Sequence, residues 1–578
     1  MGKDYDEDYF KGILEECVSK CYKKAPNVKS SHRQAFVEAC EIFHEAFQKA
    51  RNAESDDDLA KAAKSQEKGM KKCVKAASKI FEKLDLTEYS SVQAYMMKGC
   101  IIVKATPAGL AGFCAGDKKN GKLIDHLFKE TSLMKDMLCN GGAKDGNYGA
   151  AMKIYTDILA TFPDYEDEFT EINKKIALAV ALELATPINE FDTKIQVDPV
   201  NRYVHYREAF KNGELDPAFP HFSIWELRHV VNCDAKDDQL KWGRDMLMNY
   251  APYISVVTDL KQQYLMILGT DVLIRNPSWT GSPRTYQQIL SGGGKDGPNA
   301  WFGRFICKTF GIPTWGCKQE NKVGLTRWTA EGWVACNGMA WDECEWEGVS
   351  GIDFKGEVDA RAANSEEYFY KKLVLLECLA EIMDARRGEI PEDERAILHP
   401  LRTWRSLSII QKALMLESGT PDTFKREGDS PVKTNREKYL EIFEKDDPDD
   451  KVKNKKGKIT IPMGAAASQY GNLMMIASFK GGKQINFAGI GHIDFDLPDD
   501  MEPRTYKMTA EVNTVHLKQG TTLIFVEDGE PVPIKIPYTM GAWQKTEPVA
   551  ISLEPGQILT FKREKGNMGL AIRRIYLE

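Results

Sequence analysis

The chain lacks any run of about 18 consecutive apolar residues, so no segment has the make-up of a membrane-spanning helix. The opening MGKDYDEDYF is charged and has no apolar centre, so no secretory leader is expected. Gly2 follows Met1, but Asp6 stands where N-myristoylation needs Ser or Thr. Basic charge is not in excess. A net charge of −7 and a pI near 5.9 exclude a general nucleic-acid binder, which needs a basic surface. The 9 histidines are dispersed, with no HExxH or His-x₃-His pair, so no histidine metal motif is present. The 13 cysteines are an odd, scattered set. Cys17 and Cys21 lie four apart without a second pair, which suits reduced thiols better than a zinc site or a disulfide framework. The expectation is an intracellular, cytoplasmic chain with no metal, cofactor, membrane or nucleic-acid partner.

What is present is ordinary globular material in quantity. The 578 residues, 42% hydrophobic and 28% charged, suit about three to five structural units at roughly 100–200 residues each. Residues 1–85 read as a helical N-terminal extension. Phe36, Cys40, Phe43 and Phe47 recur at helical steps, and an acidic block at 54–58 precedes a second helix. There Lys61, Lys64, Lys68, Lys72, Lys75 and Lys79 form a row, with Ala62, Ala63, Met70, Val74, Ala77 and Phe81 off it. Such a row is usually a solvated face, and the functional alternative is docking of an acidic protein partner or a second copy of the chain. Residues 86–285 read as a further helical region and 286–445 as a core with one helix, short strands and following helices. The acidic-then-basic stretch 446–458 (DPDDKVKNKKGK after Asp446) reads as an exposed linker. From 459 to 578 the period changes to two, with strands at 505–517, 521–526, 533–538, 549–553, 558–563 and 569–577. The predicted class is multidomain α+β: helical N-terminal region, α+β core and a C-terminal all-β, jelly-roll-like sandwich.

The most specific stretch is 291–348, where SGGGKDGPNAWFGRFICKTFGIP leads into strands bearing Trp328, Trp333 and Trp341. A Gly-rich turn opening a helix that closes on Gly311-Ile312-Pro313 resembles the transglutaminase-like branch of the papain-type superfamily, which includes peptide N-glycanases. With the flanking segments in 198–232, the resemblance takes in 86–420. It implies a cysteine at the helix N-terminus, where the dipole lowers the thiol pKa, a histidine base on the next strand and an orienting aspartate beyond it. At the matching positions this chain carries Asp296, Lys322 and Asn337. These side chains cannot reproduce a thiolate–imidazole pair, so the resemblance implies a degenerate, non-catalytic site in which Asp296 and Lys322 would form a remnant ion pair or Asp296 would cap its helix. Cys307, Cys317, Cys336 and Cys344 read as packed thiols.

Aromatic residues supply the binding candidates. Trp301, Trp328 and Trp333 crowd the core stretch and suit either packing or stacking on a sugar. On the sandwich, which is carbohydrate-binding-like in strand pattern, Trp543 and Tyr538 are the candidates. Asp494, Asp496, Asp499 and Asp500 suit a solvated turn, with calcium ligation as the alternative. Three functions follow: a non-catalytic structural or binding protein that self-assembles, an amidohydrolase or acyltransferase with an unlocated nucleophile, and a carbohydrate-binding protein acting through the sandwich.

Overall fold

A computed structural model describes the chain except residues 1–3, 25–27, 85, 87–89, 163–169, 192, 258–262, 266–271, 273, 280–284, 385–389, 392–393, 395–396, 419–429, 444–449, 528 and 565–568. It divides into two compact units. One is Met1–Pro187, Ser223–Arg228 and Ile352–Lys425; the other is Ile188–Phe222, His229–Gly351 and Arg426–Glu578. The architecture is mixed α+β, as the change of period predicts.

In the first unit, α1 (Glu7–Lys24), α2 (Ser30–Arg51) and α3 (Asp56–Phe81) are followed by α4 (Ser90–Ala105), α5 (Pro107–Gly116), α6 (Asn120–Lys129), α7 (Thr131–Cys139), α8 (Tyr148–Thr161) and α9 (Thr170–Glu183). The predicted boundary at 85 falls inside this unit. Phe10, Phe36 and Phe43 share one core with Met96, Ile101, Leu379 and Ile382. The start of α3 follows from its sequence: Ser55 Oγ accepts the Asp58 N–H at 3.2 Å, and Asp56–Asp58 meet the positive end of the helix dipole. The buried row of α3 is Ala62, Gly69, Cys73, Ala77 and Ile80, whereas Ala63 and Met70 from the predicted inner set are exposed. Gly69 explains the shift of face. A Cβ there would lie 2.9 Å from Phe43 Cα, so only glycine lets α2 and α3 close. Among the described residues no single helix is long and apolar enough to cross a membrane; α4 and α5 together reach that length but are bent by 79°.

The second unit contains the helix Asp296–Thr309 packed on an antiparallel sheet of β1 (Thr314–Gln319), β2 (Lys322–Thr329), β3 (Gly332–Ala335), β4 (Glu345–Trp346) and β5 (Val349–Ser350), in the order β3-β2-β1-β4-β5. The turn at Gly311 has φ +76°, and a Cβ would meet the Phe219 ring at 2.5 Å, which gives the Gly-Ile-Pro turn its glycine. Arg202 is fully buried in the helix Pro199–Lys211. It donates to the carbonyls of Val231, Cys233 and Ala235 at 2.6–2.9 Å and to Asp237 at 2.6 Å, so its charge and its donors are satisfied.

The same unit includes the sandwich: β6 (Lys453–Lys455), β7 (Lys458–Pro462), β8 (Ser468–Ala477), β9 (Lys483–Asp496), β10 (Arg504–Thr514), β11 (Thr522–Val526), β12 (Val532–Pro533), β13 (Gln544–Lys545), β14 (Val549–Leu553), β15 (Ile558–Arg563) and β16 (Leu570–Leu577). The long β9 pairs with β8 along its length, with β16 through Ile485–Phe487 and with β15 through Gly491–Asp496, so it joins the two halves of one 11-stranded hydrogen-bonded array. Ile485, Phe487, Ile493, Phe495, Tyr506, Phe561 and Ile572 fill the space between them. Of the predicted linker, 446–449 lie outside the described residues, and Lys453–Lys455 form a hairpin with β7, which in turn joins β16. The sandwich is also fastened to the rest of its unit. Buried Asn486 donates to the Tyr250 carbonyl at 2.6 Å and buried Gln484 to Asn249 at 3.0 Å; both acceptors end the helix Asp237–Tyr250. Trp242 on that helix donates to the Met540 carbonyl at 2.8 Å.

Candidate functional site

The three positions that the sequence resemblance singled out lie on the surface. Asp296 is the first residue of its helix and is exposed; its side chain makes no cap hydrogen bond, the N-cap position being Lys295. Lys322 is exposed where the β1–β2 hairpin turns, opposite Gln319. Asn337 is exposed after β3 with φ +60°. Among the described residues no ion pair joins Asp296 to Lys322, so the expected remnant pair is absent: each carboxylate or ammonium is left in water, where pairing has little to gain. The nearby thiols are all free. Burial pushes Cys307 up to about 12 and also raises Cys317 and Cys336, so none of these three has thiolate character.

The core tryptophans are packing residues. Trp301 is 5% exposed; it stacks on Tyr286 at 3.9 Å, meets Phe191 at 4.2 Å and donates its indole N–H to Asp234 at 2.9 Å. Trp328 is buried edge-on to Phe222 and Trp333 edge-on to His229. None of the three presents an open ring face to a ligand. On the sandwich, Tyr538 is half-buried and donates to the Gln287 carbonyl at 3.4 Å, and half-buried Trp543 lies under the Arg573 guanidinium at 5.8 Å. The acidic quartet does not converge either. Asp494 is held by hydroxyls, whereas Asp496, Asp499 and Asp500 are exposed, and they form no ligand cluster among the described residues.

A cleft of about 740 Å³ lies beside the helix Asp237–Tyr250. Its charges are largely taken up within the protein: Arg244 pairs with Glu214 at 2.9 Å, Lys241 with Asp245 at 3.3 Å, and Lys438 donates to the Asn212 carbonyl at 2.7 Å.

The open face of the sandwich offers more. Strand register places Tyr470, His492, Lys562 and Leu523 in one row across β8, β9, β15 and β11, and Ser468, Asp494, Thr560 and Phe525 in the next. Alternation puts the intervening Ile493, Phe495, Leu559, Phe561 and Ile524 into the core, which fixes the outward direction of both rows. Tyr470 is 73% exposed, and its ring lies 5.5 Å from the His492 ring at a tilt of 30°. Asp494 accepts the Thr560 hydroxyl at 2.6 Å and the Ser468 hydroxyl on its other oxygen, with His492 Nε2 3.8 Å away. A carboxylate offers about four lone-pair positions, so capacity remains for a ligand hydroxyl. The Lys562 ammonium lies over the Phe525 ring at 5.4 Å and 3.1 Å from Glu564. The result is an exposed Tyr470 ring beside the His492 ring, next to a pre-oriented carboxylate. Tyr470 was not among the aromatic residues the sequence singled out. Its signal is phase: an aromatic residue two positions after Ser468, at a place where the paired strands carry His492 and Lys562 rather than core residues.

No protein-family model matches the chain, and no curated protein sequence matches it. Among solved structures, similar chains include the C-terminal CBM6 of a marine laminarinase from Zobellia galactanivorans, at 15% identity, TM-score 0.17, covering 21% of this chain and 98% of that one. A second is CsCBM6-3 from Clostridium stercorarium in complex with cellobiose, at 17% identity, TM-score 0.17, covering 21% and 92%. A third is the carbohydrate-binding module CBM6cm-2 from Cellvibrio mixtus lichenase 5A in complex with cellotriose, at 18% identity, TM-score 0.17, covering 21% and 95%. A likeness confined to a fifth of the chain, at these scores, fixes no ligand for it.

Proposed function

We propose that the chain is a non-catalytic binding protein that takes carbohydrate on the open face of its sandwich. The observation that carries this reading is the pairing of an outward Tyr470 ring with Asp494, whose direction Ser468 and Thr560 set. A pyranose has an apolar C–H face that stacks on an aromatic ring and a rim of hydroxyls that donate to a carboxylate, and the two halves of this site match those two halves of the ligand. We also read the core as a degenerate transglutaminase-like scaffold without thiol chemistry, because Asp296, Lys322 and Asn337 stand at the positions the sequence resemblance singles out. The exposed lysine row of α3 supports self-association as a further role of the first unit.

Affinity electrophoresis of the full chain in gels carrying soluble β-glucans or galactans tests the reading. Retardation by at least one polysaccharide, lost in Tyr470→Ala, is the expected result. Unretarded migration in every gel would refute it. For the scaffold, amine incorporation and deglycosylation assays should stay at background; turnover abolished by thiol alkylation would restore the enzyme reading.

A further inference from the structure

The first unit brings together three side chains that share no sequence motif. His44 lies on α2, and Glu394 and His399 lie far along the chain. His44 Nε2 is 3.7 Å and His399 Nε2 3.5 Å from the same oxygen, Glu394 Oε2. The three ligand atoms all lie within 4.8 Å of one another, and the two imidazole rings meet edge to face at 4.5 Å. Gln48, one turn along α2 from His44, donates to Glu394 Oε1 at 2.5 Å, which leaves Oε2 directed at the imidazoles. Ser406 fixes the other side of the group by accepting the His399 backbone N–H at 2.9 Å.

The arrangement poses an electrostatic problem. Glu394 and His399 are 7% and 6% exposed, and among the described residues Glu394 pairs with no lysine or arginine. The Nδ1 atom of His44 is buried without a hydrogen-bond partner. A buried carboxylate beside imidazoles is costly unless a cation compensates it. Two imidazole nitrogens and a carboxylate oxygen are also a standard donor set for zinc. At metal–ligand distances of about 2.0–2.2 Å, tetrahedral ligands stand about 3.3–3.6 Å apart, close to two of the separations present here.

We propose that His44, Glu394 and His399 bind a divalent transition-metal ion, with zinc the ion that best suits the donor types, and that Gln48 is the outer partner orienting the carboxylate. Three protein ligands leave a fourth position for water. The Leu401 N–H points at His399 Nδ1 at 3.1 Å, which places the neutral ring's proton on Nε2, towards Glu394. A metal ion at Nε2 takes that proton's place, so loading requires the other tautomer, with the proton on Nδ1 and the Leu401 contact given up. The site would tie α2 to the His399 segment within one unit. Its ligands come from distant parts of the chain, which is why no short spacing announces it.

Cobalt(II) is the probe, added to full-length protein after treatment with a chelator. The expected result is one equivalent of bound cobalt with the intense visible bands of four- or five-coordinate ion, no thiolate charge-transfer band, and displacement by zinc. Glu394→Gln and His399→Gln should each weaken binding by at least about tenfold, and Gln48→Ala by about tenfold. Circular dichroism checks that each variant is folded. If a variant does not fold, the wild-type spectrum still decides: a six-coordinate aqueous spectrum, or a thiolate band, overturns the site. Affinity within twofold of wild type in a folded Glu394→Gln variant overturns it as well.

Discussion

The aromatic residues of the 291–348 stretch and those of the sandwich's open face have opposite fates. Trp301 is enclosed by Tyr286 and Phe191, with its N–H committed to Asp234. Tyr470 stands 73% exposed on a strand whose neighbours are polar. Crowding of aromatic residues in sequence therefore marks a core here, because each ring supplies the surface that covers the next. The ring we propose for binding is marked instead by isolation: it sits in the solvent phase of an alternating strand, beside groups that hydrogen-bond but do not cover it.

The comparison breaks most visibly if the core side is wrong. Trp301→Ala removes a packed indole and one of the donors to Asp234, the Tyr286 hydroxyl at 2.9 Å remaining, so it should cost about 3–5 kcal/mol in urea unfolding. Loss of less than a third of that would mean that Trp301 is not a core residue.

Acid sharpens the same contrast. Burial, then the charges of Arg275 and Arg563, depress His516 to about 4. An unfolded histidine titrates near 6.5, so between those values the unfolded chain holds a proton that the folded chain does not. Stability is then fully present above about pH 6.5 and falls, by on the order of 3 kcal/mol, as pH drops towards 4. Buried His205, depressed to about 2 by burial and then by Arg244, adds to the loss over the same window, so denaturation at pH 7 and pH 4.5 should show at least that loss and His516→Gln should reduce it; an unchanged slope in the variant would exclude His516 as a source.

Smaller effects concern the attachment of the sandwich. Asn486→Ala removes the shorter of two amide hydrogen bonds to the Tyr250 carbonyl, the one from Gln484 at 3.3 Å remaining, and should cost about 1 kcal/mol. After a tryptic cut in the exposed Lys455–Lys458 turn, the two pieces should stay together on gel filtration, since the buried amides of Gln484 and Asn486 still join them. Separation of the pieces would mean that the sandwich is an independent module, as its linker-like sequence suggests.

Much of the fold was legible because it follows from period. The helical spacing of Phe36, Cys40 and Phe43 and the alternation at 549–553 and 558–563 recur as α2, β14 and β15. What period cannot show is which distant segments meet. The lysine row gave the outer face of α3, but Gly69 rather than Met70 faces α2, because backbone approach and not hydrophobicity decides that contact. Residues 446–458 carried the composition of a linker, yet Lys453–Lys455 pair with β7, since an edge strand needs only backbone groups. The candidate face was hidden for the same reason. Tyr470, His492, Asp494 and Thr560 belong to three strands, and only their register makes them neighbours.

The most direct measurement of the central claim is Tyr470→Ala, read for both stability and polysaccharide retardation. An exposed ring contributes little to folding, so the unfolding free energy should stay within about 0.5 kcal/mol of wild type. Retardation should fall at least tenfold, equivalent to about 1.4 kcal/mol or more of binding free energy. A variant that binds polysaccharide as well as wild type, or that loses binding only because it unfolds, would contradict the account.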